Sequence, residues 1–257
     1  MIILWDDIID WFYTFLWPFS RISAVLLVAP IFSSTLVTVR TRISLALLLT
    51  FLIYPLYDWP IIDVTSGLGF VLFLQQVLIG VAIGLIMHFA FAAITSAGAF
   101  IATSMGLSMA VVADPVNGHQ SPVLAQVLLV IATLVFLSIG GHLIIIEMML
   151  DSFRLIPINE FYVNREMLWA ILQWSSLIFS GAVMIALPAM VTMLLTNSAM
   201  GVISRAAPAL NVFAVGFPAS LFFGLVMIYL LVPFFGSGME NVWFRCFEYV
   251  RIFLGVA

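Results

Sequence analysis

From near Leu68 to about Thr103 the chain stays mostly apolar, and this run is longer than one bilayer crossing requires. About 20 apolar residues in a helix span the hydrocarbon core. Such a run is strongly tilted, broken into two pieces, or not a simple lipid span. The rest of the chain points the same way. Of 257 residues, 65% are hydrophobic and 8% are charged, against roughly 25% charged in a soluble domain. That complement is too small to coat a water-facing surface, so the apolar side chains must face lipid or apolar partner subunits. The mean hydropathy of +1.27 agrees.

Five further apolar runs follow the same logic. They cover Trp11 to Phe32, broken by Arg21; Ile43 to Tyr57, stopped by Pro55, Asp58 and Pro60; Val123 to Leu150; Leu168 to Leu195; and Leu210 to Phe235. A last amphipathic piece, Met239 to Leu254, places Glu240, Arg245, Glu248 and Arg251 among Trp243, Phe244, Phe247 and Tyr249, a pattern suited to lying on a surface. Few glycine- or serine-rich linkers separate the runs, so residues 1–257 are expected to form one domain. Trp5, Trp11, Tyr13 and Trp17 near the first run, and Tyr54, Tyr57 and Trp59 near the second, suit either an interfacial belt or plain packing. The N-terminus carries Asp6, Asp7 and Asp10 where a cleavable signal would be basic, so the first apolar run is expected to stay in the mature protein.

Charge and cysteine usage narrow the function classes. The basic residues are eight arginines, with no lysine, against twelve acidic residues. No polybasic patch exists, which argues against nucleic acid and weakens any case for anionic-lipid recognition. Cys246 is the single cysteine, so no internal disulfide forms, and no Cys/His cluster has zinc spacing. With six crossings, Arg40, Arg42 and Arg205 fall on one side and Arg154, Arg165, Arg245 and Arg251 on the other. An ordinary permease shows an arginine bias; its absence suggests that partners dictate the placement of the chain.

Several positions are candidates for helix packing or subunit contact. Gly80, Gly84, His88, Ala92 and Ser96 recur every four residues. Successive members lie about 40° apart on a helix and trace a slanting small-residue ridge, which lets backbones approach closely. His88 interrupts it, as a hydrogen-bonding residue or a proton relay without an evident acid partner. Pro188 and Pro218 lie inside the fifth and sixth runs and are expected to kink or break their helices. Arg21 sits near the middle of the first run, where an arginine costs on the order of 2.5–3.5 kcal/mol or more and must find a carboxylate or carbonyls. Glu147, Asp151 and Arg154 cluster near the end of the fourth run, and Asp151 and Arg154 can pair along a helix. His142 and Glu147 are five apart, which is not the spacing of a metal-binding helix. No catalytic triad, nucleotide loop or other catalytic constellation is present, so the chain is expected not to be an enzyme and to need no cofactor.

Between the third and fourth runs the sequence reads TSMGLSMAVVADPVNGHQSP over residues 103–122. Ser104, Gly106, Ser108 and Gly118 weaken helix, and Asp114-Pro115 and Asn117-Gly118 signal turns. Met105, Leu107, Met109, Val111 and Val112 are nevertheless apolar. An ordinary exposed loop would not carry so many apolar side chains. The segment suits burial in a partner, in a pore, or within this chain, where methionine adapts its shape to its neighbours.

Three blocks then resemble a known family: GLSMAVVADPVNGHQSPVLAQ from Gly106, GGHLIIIEMMLDSFRLIPI over 140–158, and TNSAMGVISRAAPALNVFAVGFP over 196–218. They are similar to the flagellar type III export-gate proteins of the FliR/SctT family, and the second and third look flagellar rather than injectisomal. The resemblance implies an all-α membrane-complex protein of apolar helical hairpins, with a FliP-like part followed by a FliQ-like part. It implies assembly with FliP-type and FliQ-type subunits, contact with FlhB-type and FlhA-type export proteins, and unfolded flagellar proteins as substrates. Its location would be the bacterial inner membrane, in the flagellar basal body.

The family's pore plug maps onto the loop at about 104–122, carried by Met105, Gly106, Leu107, Met109, Val111, Val112, Asp114 and Pro115. Relatives often have phenylalanine at the positions of Met109 and Val112, so an apolar seal is implied without the aromatic one. Arg205, Asn211 and Pro218 match a family block whose implied role is helix packing. Two other readings fit parts of the sequence. A small-molecule or ion permease would use the interrupted fifth and sixth helices, and a scaffold would nucleate assembly without lining a pore.

Overall fold

A computed structural model of the chain describes residues 5–33, 37–107, 123–161, 165–206 and 212–255. Among these the fold is helical throughout, with no strand. The helices are α1 (Trp5–Val28), α2 (Val39–Ile53), α3 (Gly67–Ser104), α4 (Val123–Ser138), α5 (Gly141–Leu155), α6 (Arg165–Ser175), α7 (Leu177–Ala206) and α8 (Val212–Phe253), with short turns of helix at Pro30–Ser33 and Tyr54–Leu56. Among the described residues five spans are long and apolar enough to cross a membrane, or six if the bent pair α4 and α5 counts as one.

Local chemistry fixes the ends. Thr38 caps α2 by accepting from the Thr41 amide at 3.3 Å. Ahead of α3, Asp63 Oδ1 accepts from the Thr65 amide and hydroxyl at 2.8 and 2.7 Å, and Ser66 Oγ accepts from the Gly69 amide at 3.0 Å. These bonds satisfy donors that a helix start cannot pair internally. The turn comes so close that a Cβ on Gly69 would run into the Asp63 carbonyl. The Thr65 hydroxyl and amide hold the Asp63 carboxyl below its usual pKa.

Inside the helices, serine and threonine hydroxyls turn back onto their own backbone. Thr50, Thr95, Thr133 and Thr192 each donate to the carbonyl four residues earlier, at 2.7 to 2.9 Å. The outer faces thereby stay apolar despite polar residues in the sequence.

Two expectations are corrected, and two that left alternatives open are narrowed. The fourth apolar run does not continue from Val123 to Leu150: it breaks at Gly140, whose φ of 72° is left-handed, and the two helices bend by 65°. The sixth run and the amphipathic tail are one helix, because nothing at Gly236, Ser237 or Gly238 interrupts α8. Of the kink or break expected at Pro188 and Pro218, a break is excluded, since both helices run on through the proline; a proline removes one hydrogen bond and leaves the rest of the ladder in place. Of the two readings open for Trp17, packing holds: it is wholly buried against Leu72 and Ile158.

The chain divides into two compact units. The first contains α1, α2, α3 as far as Phe89, α5, α6 and the chain from Cys246 onward. Here α3 lies tight on α1: a Cβ on Gly80 would collide with the Arg21 carbonyl, and one on Gly84 would lie 2.7 Å from Val28 Cβ. The ridge contact ends there, because His88 is exposed. The last turns of α8 seat Tyr249 on Trp174, stacked with centroids 4.3 Å apart, while Trp174 donates to the Ile86 carbonyl at 3.2 Å. Tyr57 and Trp59 pack on Phe153.

The second unit contains the rest of α3, α4, α7 and α8 up to Arg245. Its centre is an aromatic trio in which Phe91 and Phe136 meet Trp243 edge-on, at 4.5 and 4.8 Å between centroids. Gly98 brings α3 so near α4 that an added Cβ would lie 2.6 Å from Ala125 Cα.

Large apolar side chains remain exposed on many helices. Phe51 on α2 is 69% exposed and Tyr229 and Leu230 on α8 are 78% and 68% exposed. An apolar surface of this extent needs lipid or another subunit against it.

Candidate functional site

Two places combine polar groups with close packing, one in each unit. In the second unit the site is built at the end of α3, where the apolar methionine-bearing segment begins. The helix stops in a Schellman motif: the Leu107 amide donates to the Ala102 carbonyl and the Gly106 amide to the Thr103 carbonyl, both at 3.0 Å. Gly106 takes φ +80°, a conformation that strains any side chain. Its α-carbon faces the Phe217 ring, 3.7 Å from where a Cβ would be.

Met105, just before the turn, is 1% exposed. Its side chain lies on Gly224 of α8, where even a methyl group would displace it. Asn197 of α7 donates through Nδ2 to the Ser104 carbonyl at 3.3 Å and accepts from the Ser220 hydroxyl of α8 at 3.1 Å. Three helices therefore meet in one carboxamide. Beside it lies a cleft of about 360 Å³ lined by Thr103, Ser104, Met105, Gly106, Asn197, Met200, Gly201, Gly216, Phe217 and Ser220. Leu107 is half-buried. Met109, Val111, Val112, Asp114 and Pro115 lie outside the described residues, as does Asn211.

In the first unit the site is Arg21, which is completely buried. Its Nε donates to Gln76 Oε1 at 2.9 Å, and Nη2 donates to the same oxygen. Nη1 donates to the Ser152 carbonyl at 2.6 Å and hydroxyl at 3.2 Å, and Nη2 also donates to the Ile156 carbonyl at 3.0 Å. The five N–H bonds of a guanidinium are thus all used, on neutral acceptors. The Phe153 ring lies 4.4 Å from the guanidinium carbon. Of the two partners expected for this arginine, carbonyls are present and no carboxylate is. The carbonyls belong to the C-terminal end of α5, where helix dipoles favour a cation. Gln76 and Ser152 carry no sequence signal that singles them out.

The other sequence candidates are dispersed. Glu147 is exposed and Asp151 half-buried, and both line a cleft of about 190 Å³ with Arg251. Arg154 does not pair with Asp151 among the described residues; its guanidinium lies 5.8 Å from the Tyr57 ring centroid. His142 is half-buried, and its Nδ1 has no hydrogen-bond partner among the described residues. Arg205 is exposed at the end of α7, and Pro218 is exposed on α8. Among the described residues no group of three or more His, Cys, Asp and Glu side chains is placed to hold a metal. Asn197 and Ser220 were missed as individual residues, although Asn197 falls within the third sequence block.

Comparison with known proteins supplies the context for these sites. The family of bacterial export proteins, family 1, matches residues 12–246. The flagellar biosynthetic protein FliR of Pectobacterium carotovorum subsp. carotovorum is 37% identical over 242 residues, covering 94% of this chain and 93% of that protein. FliR of Escherichia coli (strain K12) is 36% identical over 240 residues, with 93% and 92% covered. FliR of Bacillus subtilis (strain 168) is 30% identical over 254 residues, with 98% of each chain covered. An all-helical chain with several apolar spans, matched along nearly its whole length by flagellar biosynthesis proteins, belongs to the family of bacterial export proteins, family 1.

Proposed function

We propose that the chain, acting as one export-gate subunit over residues 1–257, is a non-enzymatic part of the conduit that passes unfolded flagellar proteins across the bacterial inner membrane at the flagellar basal body. The observation that carries this reading is the exposed apolar surface of long helices in a chain of this family. FliP-type and FliQ-type subunits would cover much of that surface, leaving FlhB-type and FlhA-type proteins to work at the entrance. A FliP-like part followed by a FliQ-like part accounts for a chain that offers helices to both kinds of neighbour. Its energy would come from partners or from the ion gradient, since the sequence carries no nucleotide site.

The segment at about 104–122 is the plug of this conduit. Met105 anchors its root on Gly224, and Gly106 turns the chain out of α3. Leu107, Met109, Val111 and Val112 supply an apolar stopper that excludes hydrated ions, and Asp114 and Pro115 belong to the same plug. A substrate chain displaces the stopper, and reseating restores the seal. Arg21, Gly80 and Gly84 hold α1 and α3 together, and Arg205, Asn211, Pro218, His88, His142, Glu147, Asp151 and Arg154 serve helix packing or subunit contact.

The test is deletion of residues 106–113 in the complex purified with its native partners and reconstituted into vesicles. Assembly is expected to persist and ion conductance to rise. Unchanged conductance in a properly assembled mutant refutes the plug. Crosslinking a stalled substrate to Met109 separates a conduit from a scaffold, because a scaffold gives no adduct.

A further inference from the structure

We infer that the outer face of α2 is a lipid-facing wall of the chain and that Arg40, at its N-terminal edge, binds the phosphate of a phospholipid headgroup. Such a contact goes beyond a part in the conduit and is independent of any plug.

One stripe of α2 turns inward: Ala46, Thr50 and Ile53 are buried, and the Tyr54 hydroxyl that follows meets that of Thr14 on α1 at 2.9 Å. Of the span Val39–Leu56 only 17% is buried, against 61% of the α3 span. The rest is an open face that carries Ile43, Leu47, Leu48, Phe51, Leu52 and Leu56. Three observations select lipid as its cover. The first is length. The 18 residues of this span rise about 27 Å, close to the hydrocarbon thickness of about 30 Å. The spans Gly67–Ser104 and Gly216–Phe253 have 38 residues each and rise about 57 Å, far more than an upright crossing uses. The second is texture. Helices that meet other helices in a membrane offer small residues for close approach, as α3 does to α1 through Gly80 and Gly84. Beyond Ser44 the exposed residues of α2 include no glycine, alanine or serine. The third is charge. Arg40 is exposed and makes no hydrogen bond or ion pair among the described residues. Arg40, Leu47 and Phe51 fall within about 20° of one line along the helix, so the guanidinium heads the apolar stripe. Arg42 lies about 160° round the helix from Arg40 and donates to the Ser33 and Val37 carbonyls at 3.0 and 2.9 Å. At the other rim Asp58 is exposed, and Trp59 donates to the Tyr54 carbonyl at 2.8 Å. An apolar wall of bilayer length, with a guanidinium at one rim and aromatic and acidic residues at the other, fits acyl chains on its leucines and a phosphate on the fork of Arg40. One phosphate suffices, so no cluster of basic residues is needed.

The experiment uses the whole complex, co-purified with its partners and reconstituted into vesicles of phosphatidylethanolamine and phosphatidylglycerol. Cys246 is completely buried, so Leu47→Cys and Phe51→Cys each add one reactive position on this chain for a nitroxide label, with the parent complex as background. Both labels are expected to collide with dissolved oxygen far more than with a water-soluble nickel chelate. Adding Arg40→Leu is expected to let α2 slide, moving the label at position 47 about 5 Å deeper, one helical turn. Arg40→Lys, which still offers a cation to the phosphate, is expected to hold the label at the parent depth. Complexes recovered at parent yield keep a folding defect out of the comparison. Labels that collide with neither reagent show a subunit on the face, and labels that collide chiefly with nickel show water; either result overturns the lipid wall. An unmoved label in Arg40→Leu overturns the phosphate contact.

Discussion

Replacing Arg21 is the sharpest test of how this fold tolerates a buried charge. The guanidinium makes five hydrogen bonds and rests on the Phe153 ring. In Arg21→Met the Ser152 carbonyl keeps its bond from the Ile156 amide, but Gln76 Oε1 and the Ile156 carbonyl lose the arginine. Each orphaned buried acceptor costs about 1–3 kcal/mol, so the two together cost about 2–6 kcal/mol. Methionine is spared the desolvation of a buried cation, which pulls the net towards the lower half, about 2–4 kcal/mol. For a chain of this size that lowers the melting temperature by roughly 4–16 °C. Arg21→Lys keeps the charge but offers three donors from one point instead of a fork, so it is expected to lose about as much. Adding Gln76→Leu to Arg21→Met removes one orphaned acceptor and restores about 1–2 kcal/mol. Tryptophan fluorescence during thermal unfolding reads all of these, since Trp17 is buried one helical turn from Arg21. A melting temperature for Arg21→Met within a degree of the parent refutes the argument. So does a double mutant less stable than the single one.

Two further predictions concern close approach and acid sensitivity. Gly98→Ala puts a methyl group 2.6 Å from Ala125 Cα, forcing α3 and α4 apart at a cost of about 1–3 kcal/mol; Gly236→Ala meets nothing within 4 Å and gains about 0.5–1 kcal/mol of helix propensity, and equal melting shifts for the pair refute the close-packing account. The Asp63 carboxyl is held below its ordinary value by Thr65, so its contribution is complete above the unfolded value of about 3.9 and disappears as pH falls through the lower folded value. As pH falls below about 4, the melting temperature of the parent is therefore expected to drop more steeply than that of Asp63→Asn; parallel curves count against the Asp63–Thr65 turn.

Much of the architecture is legible because hydropathy alone marks where a helix is long and apolar. The run from Leu68 to Thr103 is one unbroken helix, and the early part of the four-residue ridge, Gly80 and Gly84, is where α1 comes close. Helix interruption was read less well. The sequence predicts a kink or a break at Pro188 and Pro218, and neither helix breaks there, whereas at Gly140 the chain bends by 65°. The reason is physical: a proline removes one bond from a helix whose other bonds continue, while a glycine at positive φ leaves the helical conformation and interrupts the bond ladder at that point. The candidate site was legible as a segment and illegible as a network. Asn197, Ser220, Gln76 and Ser152 become partners only through contacts 23 to 131 residues apart in sequence, and no local pattern encodes such a distance.

That difference follows from the solvent such helices meet. Where the surroundings are as apolar as leucine, burying leucine discriminates poorly between one helix arrangement and another, and the choice falls to small-residue contacts and polar bridges. In the first unit that choice is made where Gly80 and Gly84 admit α1 and Arg21 spans from α1 to α3 and α5. In the second it is made where Gly98 and Gly224 admit α4 and Met105, and Asn197 spans α3, α7 and α8. The two bridges differ in the property that matters for motion. The guanidinium makes five bonds in full burial, which rigidifies its unit. The carboxamide makes two, on an exposed residue beside a cleft, and so constrains its unit less.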